Sequence, residues 1–282
     1  MSFYAEPVPY KVSTEEYPDG ACEDLFRGDW PWNPIGGGDI EGNPSDILEF
    51  SKSSTSMHVL SRPKQWACRR VACECTFSKT IEFPMPGQPV VKVTATLNNA
   101  RTDDYNEAVI RDQELPAMYT NAFIPRLITY NGSNPFTNEP VVEYDASFDN
   151  SQIFPWIPGR FPATEHWAAF VNENDWGLGL INPAESVFLG GFSTPDAKGC
   201  GGPKDVPTGY IAPVSQHALP RDVTFTYEFY LVVGTVDYIR EKATEIEAAT
   251  RRDRTGDWEH AGTLDQHDML RHPGLLPQSS VT

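Results

Sequence analysis

The stretch IRDQELPAMYTNAF, residues 110–123, sets Arg111, Asp112, Gln113 and Glu114 directly before a proline and an aromatic-rich run. In a strand, side chains alternate between faces, so Asp112 and Glu114 share one face and Arg111 and Gln113 the other. Cleavage of a glycosidic bond needs two carboxyl groups, one kept protonated and one ionised. Desolvation by aromatic rings raises a carboxyl pKa, and a neighbouring guanidinium lowers it. Glu165, next to Trp167 in ATEHWAAF, is a second source of such a group. Glu114 with Glu165, or Asp112 with Glu165, is therefore the expected acid/base pair. Arg111, Tyr119 and Trp167 are expected to position a sugar, with Arg101, His166 and Trp32 as further contacts. Aromatic rings offer flat apolar platforms for sugar faces. The structural use of the same residues is an arginine–carboxylate network that closes a loop over a sheet.

Other constellations carry less. Cys68, Cys73 and Cys75 have the spacing C-x4-C-x-C, which fits no standard zinc site. On a strand Cys73 and Cys75 share a face and do not easily bond each other, so small buried residues or a bridge to Cys68 are expected. Asp39, Glu41 and Asn43 place oxygens at alternate positions, but the rest of a calcium loop is missing and a tight turn is expected. His166 falls on the face opposite Glu165 and Trp167. G-x-S-x-G, P-loop, H-E-x-x-H and dinucleotide fingerprints are all absent, and the expectation is no metal and no cofactor.

These side chains need a scaffold, and the sequence describes one. The 282 residues include 25 Pro and 21 Gly spread along the chain as punctuation between short elements. ILEFS and SMHVLS flank the polar turn KSST. VACECTFSKTIEF and VVKVTATLNNA alternate with period two, putting Val91, Val93, Ala95 and Leu97 on one face. HWAAFVNENDWGLGLIN reads as a hairpin turning at NEND. SVFLGGFS, TGYIAPVS and VTFTYEFYLVVG follow, the last rich in β-branched and aromatic residues. After Gly234 the period changes: Val236, Ile239, Ala243, Ile246 and Thr250 recur at three and four, with Thr235 as N-cap. The expected organisation is an irregular segment over 1–29, a β-sandwich over 30–234, a helix over 235–253 and an extended or disordered tail over 254–282. The fold class is all-β, an antiparallel two-sheet β-sandwich of super-sandwich or jelly-roll type with one C-terminal helix.

The net charge of −17 opposes nucleic-acid and anionic-membrane partners. No apolar run reaches the length of a membrane span. The first twenty residues lack the basic and apolar regions of a signal peptide, which leaves localisation open between a cytoplasmic and a mature or truncated secreted form.

Residues 30–235 resemble a group of uncharacterised bacterial and eukaryotic-microbe proteins. The resemblance is carried by WPWNPIGGGDIEGNPS, RDQELPAMYTN, ITYNGSNPFTNEP, ATEHWAAFVNENDWGLGL and GYIAPV. More loosely, the strand pattern and the closing YEFYLVVGTVDYIRE resemble the galactose-mutarotase-like super-sandwich of carbohydrate-active enzymes. That resemblance implies a carbohydrate substrate. Together with the carboxylates it yields a glycoside hydrolase as the leading expectation. A polysaccharide lyase using Tyr119 or His166 as base, and a non-catalytic glycan-binding module, are the alternatives.

Overall fold

The computed structural model describes residues 34–35, 37–39, 41–65, 70–100, 110–121, 123–144, 157–192 and 209–260. Arg101 and Trp32 lie outside these residues, as does Cys68, and of Arg111 only the backbone is described. In chain order the elements begin with β1 (Pro34–Ile35), β2 (Asp46–Lys52), β3 (Ser56–Arg62), β4 (Lys64–Gln65), β5 (Cys75–Glu82) and β6 (Val90–Asn99). Next come β7 (Ile110–Glu114), β8 (Met118–Thr120), β9 (Arg126–Thr129), β10 (Val142–Tyr144) and β11 (Ile157–Pro162). The chain then forms β12 (Trp167–Val171), β13 (Trp176–Ile181), β14 (Val187–Phe192), β15 (Gly209–Ala218), β16 (Val223–Thr235) and α1 (Val236–His260).

The protein is an all-β sandwich of two antiparallel sheets with a C-terminal helix. The larger sheet has nine strands in the order β10-β9-β12-β13-β16-β6-β5-β3-β2. The smaller runs β11-β14-β15-β7, with β8 also paired to β15. Each hairpin read from alternation is present: β2–β3, β5–β6 and β12–β13 pair antiparallel.

The core lies between the inner faces of the two sheets. Phe77, Val93, Ala95, Leu97, Phe170, Leu180 and Phe229 enter it from the larger sheet. Phe161, Phe188, Phe192, Ile211 and Met118 meet them from the smaller one. Ring pairs record how the layers are stacked. Tyr144 of β10 meets Phe161 of β11 at 4.9 Å, and Phe170 of β12 meets Phe192 of β14 at 5.7 Å. His217 of β15 lies 4.6 Å from Phe225 of β16. The smaller sheet thus lies over the β10-to-β16 part of the larger one, and the buried core reaches on to Val93, Ala95 and Leu97 of β6 and Phe77 of β5.

Pro116 breaks the edge of the smaller sheet. β7 pairs with Val214–Ala218 of β15, and β8 pairs with Gly209–Ile211 of the same strand. Between them the Leu115–Pro116 peptide is cis. Pro116 offers no ladder donor, so the chain steps out of register here and rejoins β15 further along.

Two compact units divide at Thr244/Glu245. The first contains every strand described and the start of α1. Thr235 caps that start, its hydroxyl accepting from the Tyr238 N–H at 3.3 Å. The Ile239 side chain fills the space above Gly179 of β13, where a Cβ would come within 2.4 Å of it. In the second unit α1 continues to His260, beyond the expected boundary at Asp253, and Arg251 pairs with Glu247 one turn back at 2.6 Å.

One expectation about cysteine is corrected. Cys73 and Cys75 form a disulfide, with Cα atoms 5.0 Å apart. Strand alternation does not apply to Cys73, because β5 starts only at Cys75 and the chain bends at Glu74, which brings the two sulfurs together.

Candidate functional site

Asp112 and Glu114 lie on β7, both half-buried, while Gln113 between them is fully buried in the opposite direction. Their shared face is the outward face of the smaller sheet. Asp112 pairs with Arg160 of β11 and accepts from Gln216 Nε2 of β15 at 3.3 Å. Glu114 accepts the hydroxyl proton of Tyr210, also from β15. Tyr119 of β8 packs edge-on against Tyr210 at 4.9 Å and leaves just over half its surface in solvent. Burial and the Glu114 charge both push the Tyr119 phenol above its usual range.

The supports of this cluster lie behind it. Asn182 donates to the Leu115 carbonyl at 2.8 Å, and the Leu115 N–H donates to the Pro213 carbonyl at 2.8 Å. Gln113 Nε2 reaches the His217 carbonyl at 3.4 Å. On the turn between β13 and β14, burial pushes the Glu185 carboxyl up, against a hydrogen bond from Ser215. Local sequence did not mark Arg160, Tyr210, Gln216 or Glu185. The pattern GYIAPVSQ identifies β15 as a strand and does not reveal that β7 and β8 lie beside it.

Glu165 is somewhere else entirely, and this overturns its pairing with Glu114 or Asp112. It is fully buried on the outward face of the larger sheet. The two sheets and the core lie between it and β7. All its acceptor capacity is used. Arg240 of α1 donates Nε at 2.8 Å and Nη2 at 2.7 Å. Trp167 Nε1 donates at 3.0 Å, and the Phe136 N–H at 2.8 Å. Arg240 also stacks over the Tyr130 ring at 5.1 Å and donates to the Glu139 carbonyl at 2.7 Å. Tyr130 in turn donates its hydroxyl proton to Glu139 at 2.6 Å. This is a satisfied buried network that ties α1 to the sheet and to the loop before β10.

The same geometry corrects two expected substrate contacts. Trp167 is fully buried, so its ring is no sugar platform. Its indole holds Glu165, as their shared strand phase anticipated. His166 takes a positive φ of 64° in the turn before β12 and meets the Phe136 ring edge-on at 6.1 Å. It belongs to the Glu165 side of the molecule, away from β7.

Asp39 is a turn residue. Its carboxylate accepts from the Arg70 N–H at 2.6 Å, the Asn43 N–H at 2.9 Å and the Glu41 N–H at 3.1 Å, and from Asn43 Nδ2. Burial pushes this carboxyl up, but these hydrogen bonds together outweigh it and the net shift is downward. Among the described residues no group of three or more His, Cys, Asp or Glu could hold a metal ion.

A further concavity of about 480 Å³ opens between β9, β10, the β12–β13 turn and the start of α1. Its one arginine, Arg126, is saturated. It grips Glu143 with two nitrogens and reaches Asp175 at 2.6 Å and the Asn172 carbonyl at 3.1 Å.

No family model matches the chain. No curated protein matches it either. Among solved structures, the fold is similar to that of a galactose-mutarotase-related enzyme from Lactobacillus acidophilus. The identity is 7%, with 76% of this chain and 85% of the other covered, at a TM-score of 0.35. A candidate mutarotase from Salmonella typhimurium is similar at 8% identity, covering 83% and 80%, with a TM-score of 0.33. A candidate aldose 1-epimerase from Klebsiella pneumoniae is similar at 12% identity, covering 71% and 58%, with a TM-score of 0.32. The neighbours are thus mutarotase-like proteins at low sequence identity, and this degree of likeness assigns neither substrate nor reaction.

Proposed function

We propose that the chain is a carbohydrate-active enzyme whose sugar site is the outward face of β7, β8 and β15. The reading rests on one observation: Glu114 holds the Tyr210 hydroxyl while Tyr119 presents an exposed ring beside the pair. Asp112 is the second carboxylate. Two residues apart on one strand face, Asp112 and Glu114 are separated by about 7 Å along the backbone, a spacing compatible with hydrolysis by a carboxyl pair. In this reading Glu114 and Asp112 exchange protons with the glycosidic oxygen and water. Arg160 and Gln216 orient Asp112, and Tyr119 supplies the platform.

A lyase using Tyr119 as base is less well supported, because burial and the nearby Glu114 charge move its phenol further from neutrality. One observation favours a non-catalytic glycan-binding face instead: Asp112 is already engaged by Arg160. A reducing-end assay over a broad polysaccharide panel separates the readings. Turnover abolished by Glu114→Gln and Asp112→Asn supports the hydrolase. Glycan-array binding without turnover supports the module. Neither turnover nor binding rejects a sugar site on this face.

A further inference from the structure

The larger sheet is wider than the layer that covers it. Ring contacts place β11 over β10, β14 over β12 and β15 over β16. β7 then ends the smaller sheet, while the larger one continues through β6, β5, β3 and β2. Strands lie about 4.8 Å apart, so β2 is about 14 Å from β6.

Register shows which side chains this overhang presents. Phe50 pairs with Val59, Val59 with Lys79, and Lys79 with Ala95. Ala95 is in the core, so all four positions face inward. The same phase carries Ile47, Met57 and Ile81, and also Phe77, which at 1% exposure still belongs to the core. Among them Ile47 is 67% exposed and Phe50 56%, and Phe83, one step past β5, is 52% exposed. Two-thirds exposure of an isoleucine on the inward face of a sheet marks surface that the described residues do not cover.

Charge distinguishes this surface from a bare apolar patch. A bulge between Ile47 and Glu49 turns both Asp46 and Glu49 of β2 to the outward face. The inward positions of β2, β3, β5 and β6 therefore carry two cations, Lys52 and Lys79, and no carboxylate, in a chain of net charge −17. Lys79 has apolar neighbours on both sides, and its ammonium sits 5.6 Å from the Phe77 ring centroid. Among the described residues no hydrogen bond or ion pair to this ammonium occurs. Burial pushes its pKa down, as for a cation desolvated without compensation.

We infer that the inward face of β2, β3 and β5 binds an amphiphilic carboxylate with the chemistry of a medium-chain fatty acid, whose head group Lys79 holds while Val59, Met57, Ile81, Phe50 and Phe83 receive its chain. A carboxylate supplies the counter-charge that Lys79 lacks. An acyl chain removes the exposed apolar side chains from water. A sugar fits poorly, because its hydroxyls would find few polar partners here. The site is separate from β7, and it stands or falls independently of the proposed sugar chemistry.

The test is calorimetric titration of the full chain with dodecanoate and with dodecanol, both below their aggregation limits. Saturable dodecanoate binding at one per chain is expected. Lys79→Met is expected to weaken dodecanoate binding by about tenfold or more while leaving dodecanol nearly unchanged. Lys79→Arg should retain the preference for the carboxylate. Phe50→Asp, at an exposed position that does not endanger folding, should weaken both ligands. Equal affinity for acid and alcohol overturns the inference, as does unchanged dodecanoate binding by a folded Lys79→Met variant. The absence of saturable binding overturns it too. If light scattering then finds a dimer that Phe50→Asp dissolves, the face is a contact between two copies instead.

Discussion

Arg240 closes on Glu165 with two nitrogens, at 2.8 and 2.7 Å, across 75 residues of sequence. Glu165 is inaccessible and the Arg240 side chain is only 12% exposed. Removing one partner of such a pair leaves a buried charge unmatched, which costs about 3–5 kcal/mol. Arg240→Met and Glu165→Gln should each lower the urea midpoint strongly. The double replacement Arg240→Met/Glu165→Leu should recover part of the loss, because no uncompensated charge remains. Additive losses in the cycle would mean that the two side chains act separately.

On the opposite side of the sandwich, Glu114→Gln keeps the side chain's size but removes the carboxylate that accepts from Tyr210. It should lower kcat on a responsive glycan by about 10²–10⁴-fold, the usual weight of a general acid or base. Tyr119→Ala should act mainly on KM. Circular dichroism and melting of Glu114→Gln should match the wild type, which Glu165→Gln should not. A Glu114→Gln enzyme with full turnover sinks the acid/base assignment.

His217 faces Phe225, and burial pushes its imidazole pKa down. The folded state therefore takes up this proton less readily than the unfolded chain, whose histidine titrates near about 6.5. The stability contributed by neutral His217 is present above that pH and is lost as pH falls through it toward the lower folded value. His217→Gln should flatten the fall in Tm between neutral pH and about pH 5.5. An unchanged slope would place that proton uptake on other groups.

Asp39 tests the difference between a turn and a cation loop. Its carboxylate gathers three backbone N–H groups and the Asn43 amide in a site that is only 7% exposed. Asp39→Ala should cost about 2–4 kcal/mol, since several charge-assisted hydrogen bonds lose their acceptor. Calcium in the millimolar range should leave the wild-type Tm unchanged. A calcium-dependent rise abolished by Asp39→Ala would contradict the structural role.

The strands were legible because alternation is written residue by residue. VVKVTATLNN places Val93, Ala95 and Leu97 in the core, as its period requires. The HWAAFVNENDWGLGLIN hairpin and the capped start of α1 follow from equally local signals. Asp112 and Glu114 fall together, opposite Gln113, for the same reason. The Cys73–Cys75 bridge lies outside that logic, because Cys73 precedes β5 and the chain bends at Glu74.

The fate of each carboxylate was decided at longer range. Glu165 has the same neighbours in sequence whether it faces a cleft or a helix; only the arrival of Arg240 on α1 buries and neutralises it. Asp112 meets Arg160 across 48 residues, and Glu114 meets Tyr210 across 96. The overhang at Lys79 depends on one sheet being wider than the other, which no single strand encodes. By itself the sequence determined which side chains share a face, because covalent geometry repeats every two residues. Only the tertiary structure decided which of those faces meet solvent, core or a charged partner, because that depends on the elements the chain packs against them.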